Sequence, residues 1–301
     1  MKYFKNFMLI LLSIIFILLI PLTLVYESLN TTILKPYETI RYLDESGIYQ
    51  EAEIVAEEEI LKQLESLDII IPSDMLGNLI SRTVTEDWIS HFSKEIQYLL
   101  WRYIVDESDT IGPLSLTEFN IYVKEIAKDE VNKFTGGISF LENSVNTYID
   151  QFLPQSIDIN DYFSDYTQQI EEIKKNYQLM KVLEIVIYIL LAFIIVIGAI
   201  LASNFKKTLR WLGIVFTITG TLTLVPALLI NVIDKKKFYT EFLNHDFYQY
   251  LNSSVMTLLD LIINDIAVKL SILSVSVLIV GVFFLLFSKV FKERSSTSKS
   301  I

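Results

Sequence analysis

The chain has 301 residues, 52% of them hydrophobic, a mean hydropathy of +0.43, a formal net charge of −11 and no cysteine. Soluble domains are about 45–50% apolar, so this composition excludes an ordinary soluble protein. The missing cysteine excludes disulfides, a thiol nucleophile and a Cys-ligated zinc site.

The apolar excess is concentrated in four runs, Phe7–Val25, Val182–Ala202, Trp211–Ile233 and Ile266–Phe287. A bilayer core needs about 20 apolar residues at about 1.5 Å each, so each run is long enough to span. The expected fold class is therefore an all-α membrane protein with four transmembrane helices. A helical domain lies between the first and second spans, and a smaller helical loop between the third and fourth.

In chain order, residues 1–6 precede a first span at 7–26. Its apolar stretch exceeds the 7–15 residues of a secretory h-region, and no small-x-small cleavage pattern follows, so it reads as an uncleaved anchor. Residues 27–180 form the larger outer segment. Its first part, 28–46, lacks a period and reads as an extended lead-in. The stretch from Gly47 to Leu67 is rich in helix formers, with Ile48, Ala52, Val55, Leu61 and Leu64 as its apolar stripe. Asp68 to Pro72 breaks it, and Ser73 or Asp74 can cap a short helix beyond.

A helix over Glu86–Val105 carries Trp88, Phe92, Ile96, Leu99 and Tyr103 on one face. Thr83-x-x-Glu86 supplies capping-box spacing ahead of it. Gly112-Pro113 punctuates the polar turn that follows, and Ser115-x-x-Glu118 opens another helix that Gly136-Gly137 ends. A further helix covers about 140–152 and stops at Pro154. From Tyr162 a helical pattern runs unbroken into the second span at 181–203. The basic stretch 204–210 is a hairpin loop to the third span at 211–233, which Pro226 should kink. A helical outer loop, 234–265, leads into the fourth span at 266–288 and a tail at 289–301. Outer helices followed by a long emergent helix occur twice, without residue-level identity.

Cytoplasmic loops are enriched in Lys and Arg. With the N-terminus inside, Lys2, Lys5, Lys206, Lys207, Arg210, Lys289, Lys292, Arg294 and Lys299 share one side with a single acid, Glu293. These residues set the orientation, with both termini cytoplasmic, against the one dissenting cluster Asp234–Lys237. Residues 28–180 then lie outside with 28 acids against 11 bases, a field that repels nucleic acid and suits cations or basic partners. A cysteine-free outer domain also points to a prokaryotic cell surface. The N-x-S/T sequons at Asn30 and Asn252 carry no weight there.

The chemistry-bearing residues are sparse. His91 and His245 are the only histidines, too few for a three-ligand zinc site, and neither accompanies a nucleophile motif. Asp158, Asn160, Asp161 and Asp165 cluster oxygen ligands as calcium would want, but the EF-hand pattern fails and helix capping suits them better. No cofactor is implied. The spans carry hydroxyls (Ser13, Thr217, Thr219, Thr221, Thr223, Ser271, Ser274, Ser276) that either bond within their helices or line a path. Glu184 and Lys269 sit near span ends, where long polar side chains reach the interface.

The functional expectation is a non-enzymatic plasma-membrane protein. It would bind, sense or scaffold at the cell surface through its acidic helical domain. Its partners are the lipid bilayer and an envelope or membrane protein, and nucleic acid is excluded. The alternative is a transporter or channel component using the hydroxyl-rich third and fourth spans. Long unbroken helices would carry any signal to an inner face of basic residues suited to a partner or anionic lipid.

Overall fold

The computed structural model describes residues 2–65, 73–135, 147, 153–230 and 253–290. It is almost wholly helical. In chain order come α1 (Lys2–Thr32), α2 (Pro36–Ser46), α3 (Ile48–Glu65), α4 (Ser73–Thr83), α5 (Glu86–Ile104) and β1 (Pro113–Ser115). Next are α6 (Thr117–Thr135), β2 (Ser156–Asp158), α7 (Ile159–Tyr162), a 3-10 turn (Ser164–Tyr166), α8 (Thr167–Ala202), α9 (Phe205–Ile230) and α10 (Ser253–Val290). The helices α1, α8, α9 and α10 are long and apolar enough to cross a membrane. On length and composition the chain is a multi-pass membrane protein.

Two compact units divide the chain: Met1–Glu38, Leu179–Leu251 and Leu259–Ile301 form the first, Thr39–Gln178 and Asn252–Leu258 the second. The first holds the apolar helices. Along α1, Leu12, Phe16, Ile20 and Leu24 recur every four residues and are buried with Ile194 of α8, Val215 and Ala227 of α9, and Leu270 of α10. Lipid is as apolar as leucine, so packing and hydrogen bonds must hold such helices together. Both are present. The Trp211 indole N–H donates to Ser13 Oγ at 2.7 Å, and the Phe216 ring meets Phe16 edge-on at 5.5 Å. Gly198 of α8 leaves room for the Trp211 ring, where a Cβ would collide. The opposite faces, such as Ile185, Ile189, Phe193 and Ile200 of α8, are exposed as a lipid-facing surface would be.

Two expectations about this part of the chain need correction. Residues 28–46 are helical except at 33–35: α1 continues to Thr32 and α2 opens on Pro36, the first-turn position that proline tolerates. Continuation is anchored by hydroxyls that apolar periodicity cannot register. Ser28 Oγ donates to the Ile266 carbonyl at 2.8 Å, and Thr32 Oγ1 to Asp265 at 3.4 Å. The basic stretch 204–210 is mostly helix, because α9 starts at Phe205. The reversal takes only Ser203, at φ 66°, and Asn204, whose side chain accepts from the Lys207 amide at 2.8 Å. Pro226 lies inside α9.

The second unit has its own core. Ile111, Leu114, Leu116 and Ile159 are buried against Phe92, Ile96, Leu99, Leu100 and Tyr103 of α5 and Ile170 of α8. Most of the expected α5 face is therefore turned inward. The two short strands, which the sequence reading missed, pair antiparallel with Leu114 opposite Ile157 and close this core. The α5 cap also differs. Thr85 occupies the N-cap without a side-chain bond, and Thr83 Oγ1 turns back to Leu79. The Glu86 amide is instead satisfied by Glu53 Oε2 of α3 at 3.1 Å, an acid at the positive end of a helix. Facing Glu53 inward rotates α3 away from the expected stripe. Tyr49 is buried, its hydroxyl on Ser93, whereas Val55 is 65% exposed. The expected continuous helix from Tyr162 is interrupted at Phe163–Tyr166 and regular from Thr167. The helix at 140–152 (residue 147 apart), the Gly136-Gly137 stop, the 68–72 break and 234–252 lie outside the described residues.

Candidate functional site

In the first unit, the sequence-predicted hydroxyls spend their protons locally. Thr217 donates to Gly213, Thr219 to Val215, Thr221 to Thr217 and Thr223 to Thr219, each four residues back. Ser271, Ser274 and Ser276 do the same on α10. The neighbouring glycines bring α9 and α10 to backbone contact. A Cβ on Gly220 would lie 2.8 Å from the Leu278 amide nitrogen and 2.9 Å from the Ser274 carbonyl; one on Gly281 would meet the Thr217 nitrogen at 2.6 Å. Thr219 and Ser274 are fully buried in this seam. At these glycines the interface is close-packed, with no room for a methyl group.

A charged network ties α10 to the end of α1 and the first turn of α2. Lys269 Nζ lies 2.7 Å from Asp265 and 3.7 Å from Glu38, and donates to the Thr31 carbonyl at 2.7 Å. All three side chains are only about one-fifth exposed. Ionisable groups beside hydrocarbon are costly and persist when paired. Sequence reading placed Lys269 at a span end but missed its partners. The Asp265–Lys269 spacing of four was the available signal, whereas nothing local pointed to Glu38. A second polar contact joins α1 to α8, where the Tyr26 hydroxyl donates to Glu184 at 3.0 Å and Lys181 lies 3.6 Å from the same carboxylate.

In the second unit, the four oxygen-bearing residues of 158–165 act locally. Asp158 Oδ1 accepts from both the Asn160 amide nitrogen and its side chain, at 2.9 and 2.8 Å, capping α7. Asn160 Oδ1 accepts from Ile111 at 3.4 Å. Asp161 lies within α7 and Asp165 in the 3-10 turn. Among the described residues, no three His, Asp or Glu side chains converge as a metal would require. His91 stands edge-on to Trp88 at 5.4 Å and 3.7 Å from Glu95. It borders a shallow crevice with Lys94, Tyr98, Leu99, Pro113 and Ser115. His245 lies outside the described residues.

Two charge clusters brace this unit. Arg82 of α4 donates to Asp129 at 2.8 Å and also to Glu130 of α6, while Lys133 reaches Glu130 at 2.8 Å. Lys133 and Arg82 hold the Glu130 carboxyl below its ordinary range, and Arg82 and Lys133 do so for Asp129. Glu130 is only 3% exposed, so its charge depends on these partners. At the other cluster, Lys174 of α8 bonds Asp106 at 2.6 Å, lowering that carboxyl, and lies over the Tyr103 ring.

The described members of the basic set expected to orient the chain fall at one end of the first unit. Lys206, Lys207 and Arg210 open α9, Lys5 lies near the start of α1, and Lys289 near the end of α10. Lys2 begins α1, whereas Lys292 and Arg294 lie outside the described residues. No family model, curated protein or solved structure matches this chain.

Proposed function

We propose that this is a plasma-membrane protein with both termini in the cytoplasm and residues 27–180 and 234–265 outside. It binds, senses or scaffolds a partner through its acidic helical unit and carries out no catalysis. One observation supports this reading: the second unit is a folded unit with an exposed crevice of mixed polarity. That unit builds its own core and braces with ion pairs, and it exposes the mixed crevice around His91, Lys94 and Tyr98. The α9–α10 seam, by contrast, is closed by backbone contact at Gly213, Gly220 and Gly281. The excess of acids on this unit favours a partner with basic groups. A transport path through the hydroxyls of α9 and α10 is the competing reading. Its difficulty is that those hydroxyls already donate within their own helices.

Two experiments separate the readings. A photoreactive amino acid at Tyr98 in the full-length protein, illuminated in intact cells, should give discrete protein adducts that Glu95→Lys, a charge reversal in the same crevice, diminishes. Reconstituted liposomes should show no ion or solute flux beyond empty vesicles. Flux abolished by replacing Thr217, Thr219 and Ser274, without Tyr98 adducts, would favour transport.

A further inference from the structure

Among the described residues, Lys5, Lys206, Lys207, Arg210 and Lys289, gathered at one end of the first unit, have no acid paired with them. Three contacts establish that they share this end. Trp211, next to Arg210, bonds Ser13 of α1 at 2.7 Å; it also fills the space beside Gly198 of α8; and Gly213 of α9 lies against Leu285 of α10, four residues before Lys289. Lys5, Lys207, Arg210 and Lys289 are exposed, and Lys206 is half-buried. Among the described residues none of the five is in an ion pair. The sequence explains why. No Asp or Glu occurs in 1–26, in 185–233 or in 266–292, so the stretches of the four long helices nearest these cations carry no acid. The Asn204 side chain is committed to the Lys207 amide and is in any case neutral.

The apolar surface continues up to these charges. Phe4, Phe205 and Phe287 are exposed beside them, and Tyr3 is 90% exposed. Aromatic rings with lysines and arginines at the end of apolar spans are the composition of a membrane–water interface. The anion nearest to such a cluster is a phospholipid headgroup. Each Lys or Arg near an anionic surface contributes about 1 kcal/mol, and a guanidinium matches a phosphate bidentately.

We propose that Lys206, Lys207 and Arg210 at the start of α9, with Lys5 and Lys289 beside them, form a docking surface for the phosphate headgroup of an anionic phospholipid. This goes beyond orientation, because a cluster that only directs insertion need not hold lipid once inserted. It is independent of the partner proposed for the second unit.

The test uses the full-length protein purified in a neutral maltoside detergent, where insertion no longer matters. Native mass spectrometry follows retained lipid as phosphatidylglycerol or phosphatidylcholine is added. We expect half-occupancy by phosphatidylglycerol at a concentration at least about tenfold lower than by phosphatidylcholine. The Lys206→Gln/Lys207→Gln/Arg210→Gln variant should weaken phosphatidylglycerol retention about 100-fold, from about 5-fold per cation. Lys206→Arg/Lys207→Arg should retain it. Equal retention of the two lipids by the parent protein would overturn the proposal without reference to any variant. So would unchanged phosphatidylglycerol retention by the folded triple variant. Inorganic phosphate competing as well as phosphatidylglycerol would overturn the assignment to lipid.

Discussion

Gly220→Ala tests whether α9 and α10 are held by close backbone approach. The added Cβ would sit 2.8 Å from the Leu278 nitrogen and 2.9 Å from both Leu278 Cβ and the Ser274 carbonyl, against ordinary contacts from 3.4 Å. It falls short by about 0.5–0.6 Å, and two of the obstructing atoms are backbone, so no rotamer change relieves it. The helices must part by a distance that forfeits a quarter to a half of each contact's dispersion well across the seam. Overpacking of this kind costs about 1–3 kcal/mol, and alanine's better helix propensity returns up to about 1 kcal/mol. The net expectation is a loss of about 1–2 kcal/mol, roughly 5- to 30-fold in the folding equilibrium. Unfolding of the full-length protein in mixed micelles with increasing SDS would measure it. Gly77→Ala in α4 is the control, because nothing lies within 4 Å of its added Cβ, and it should stabilise by up to about 1 kcal/mol. Gly220→Ala as stable as the parent would refute the close-packed seam.

Three further outcomes follow from the contacts described. Lys269→Met removes the cation that Asp265 and Glu38 share and should destabilise more than Lys269→Met/Asp265→Leu, because removing both members of an ion pair costs less than removing one; thermal unfolding in detergent ranks them. Glu53→Ala removes the tertiary cap of α5 and should cost about 1 kcal/mol, whereas Val55→Ala, on the exposed face of α3, should stay within about 0.5 kcal/mol. Acid should weaken the second unit selectively. Asp106, Asp129 and Glu130 have folded pKa values lowered by Lys174, by Arg82 with Lys133, and by Lys133 with Arg82 respectively. Lowered carboxyls contribute stability that is complete above their unfolded values near 4 and is lost as pH falls through the folded ones. Tryptophan emission in a Trp211→Phe background reports only Trp88 and Trp101, and should show the melting temperature falling below about pH 4, less so in Arg82→Gln/Lys133→Gln.

The sequence revealed most where burial follows a strong period. The four apolar helices and α5 are read from composition and spacing, because their inward faces recur every three or four residues. Where polar tertiary contacts decide, the reading failed. Ser28 and Thr32 prolong α1 through partners on α10, more than 230 residues later in the chain. Glu53 rotates α3 by capping α5, so Val55 faces outward although the local pattern puts it inside. The strand pair at 113–115 and 156–158 is two three-residue segments, too short for a period. For the candidate sites, Lys269 was visible as a charge at a span end, but Glu38 meets it only once α2 folds. The oxygen cluster at 158–165 was read correctly as capping at Asp158, since an acid before a helix start has a local role.

The orientation of the four spans underlies both the proposed outer binding role and the inner lipid surface, and cysteine accessibility measures it on a parent that has no cysteine of its own. Single cysteines at Ser81 and Thr110, both exposed in the second unit, and at Ser203, exposed between α8 and α9, would be challenged with a membrane-impermeant maleimide in intact cells. Labelling at Ser81→Cys and Thr110→Cys in intact cells, with Ser203→Cys reacting only after permeabilisation, is the predicted result; Ser203→Cys labelled in intact cells while the other two are protected would contradict it.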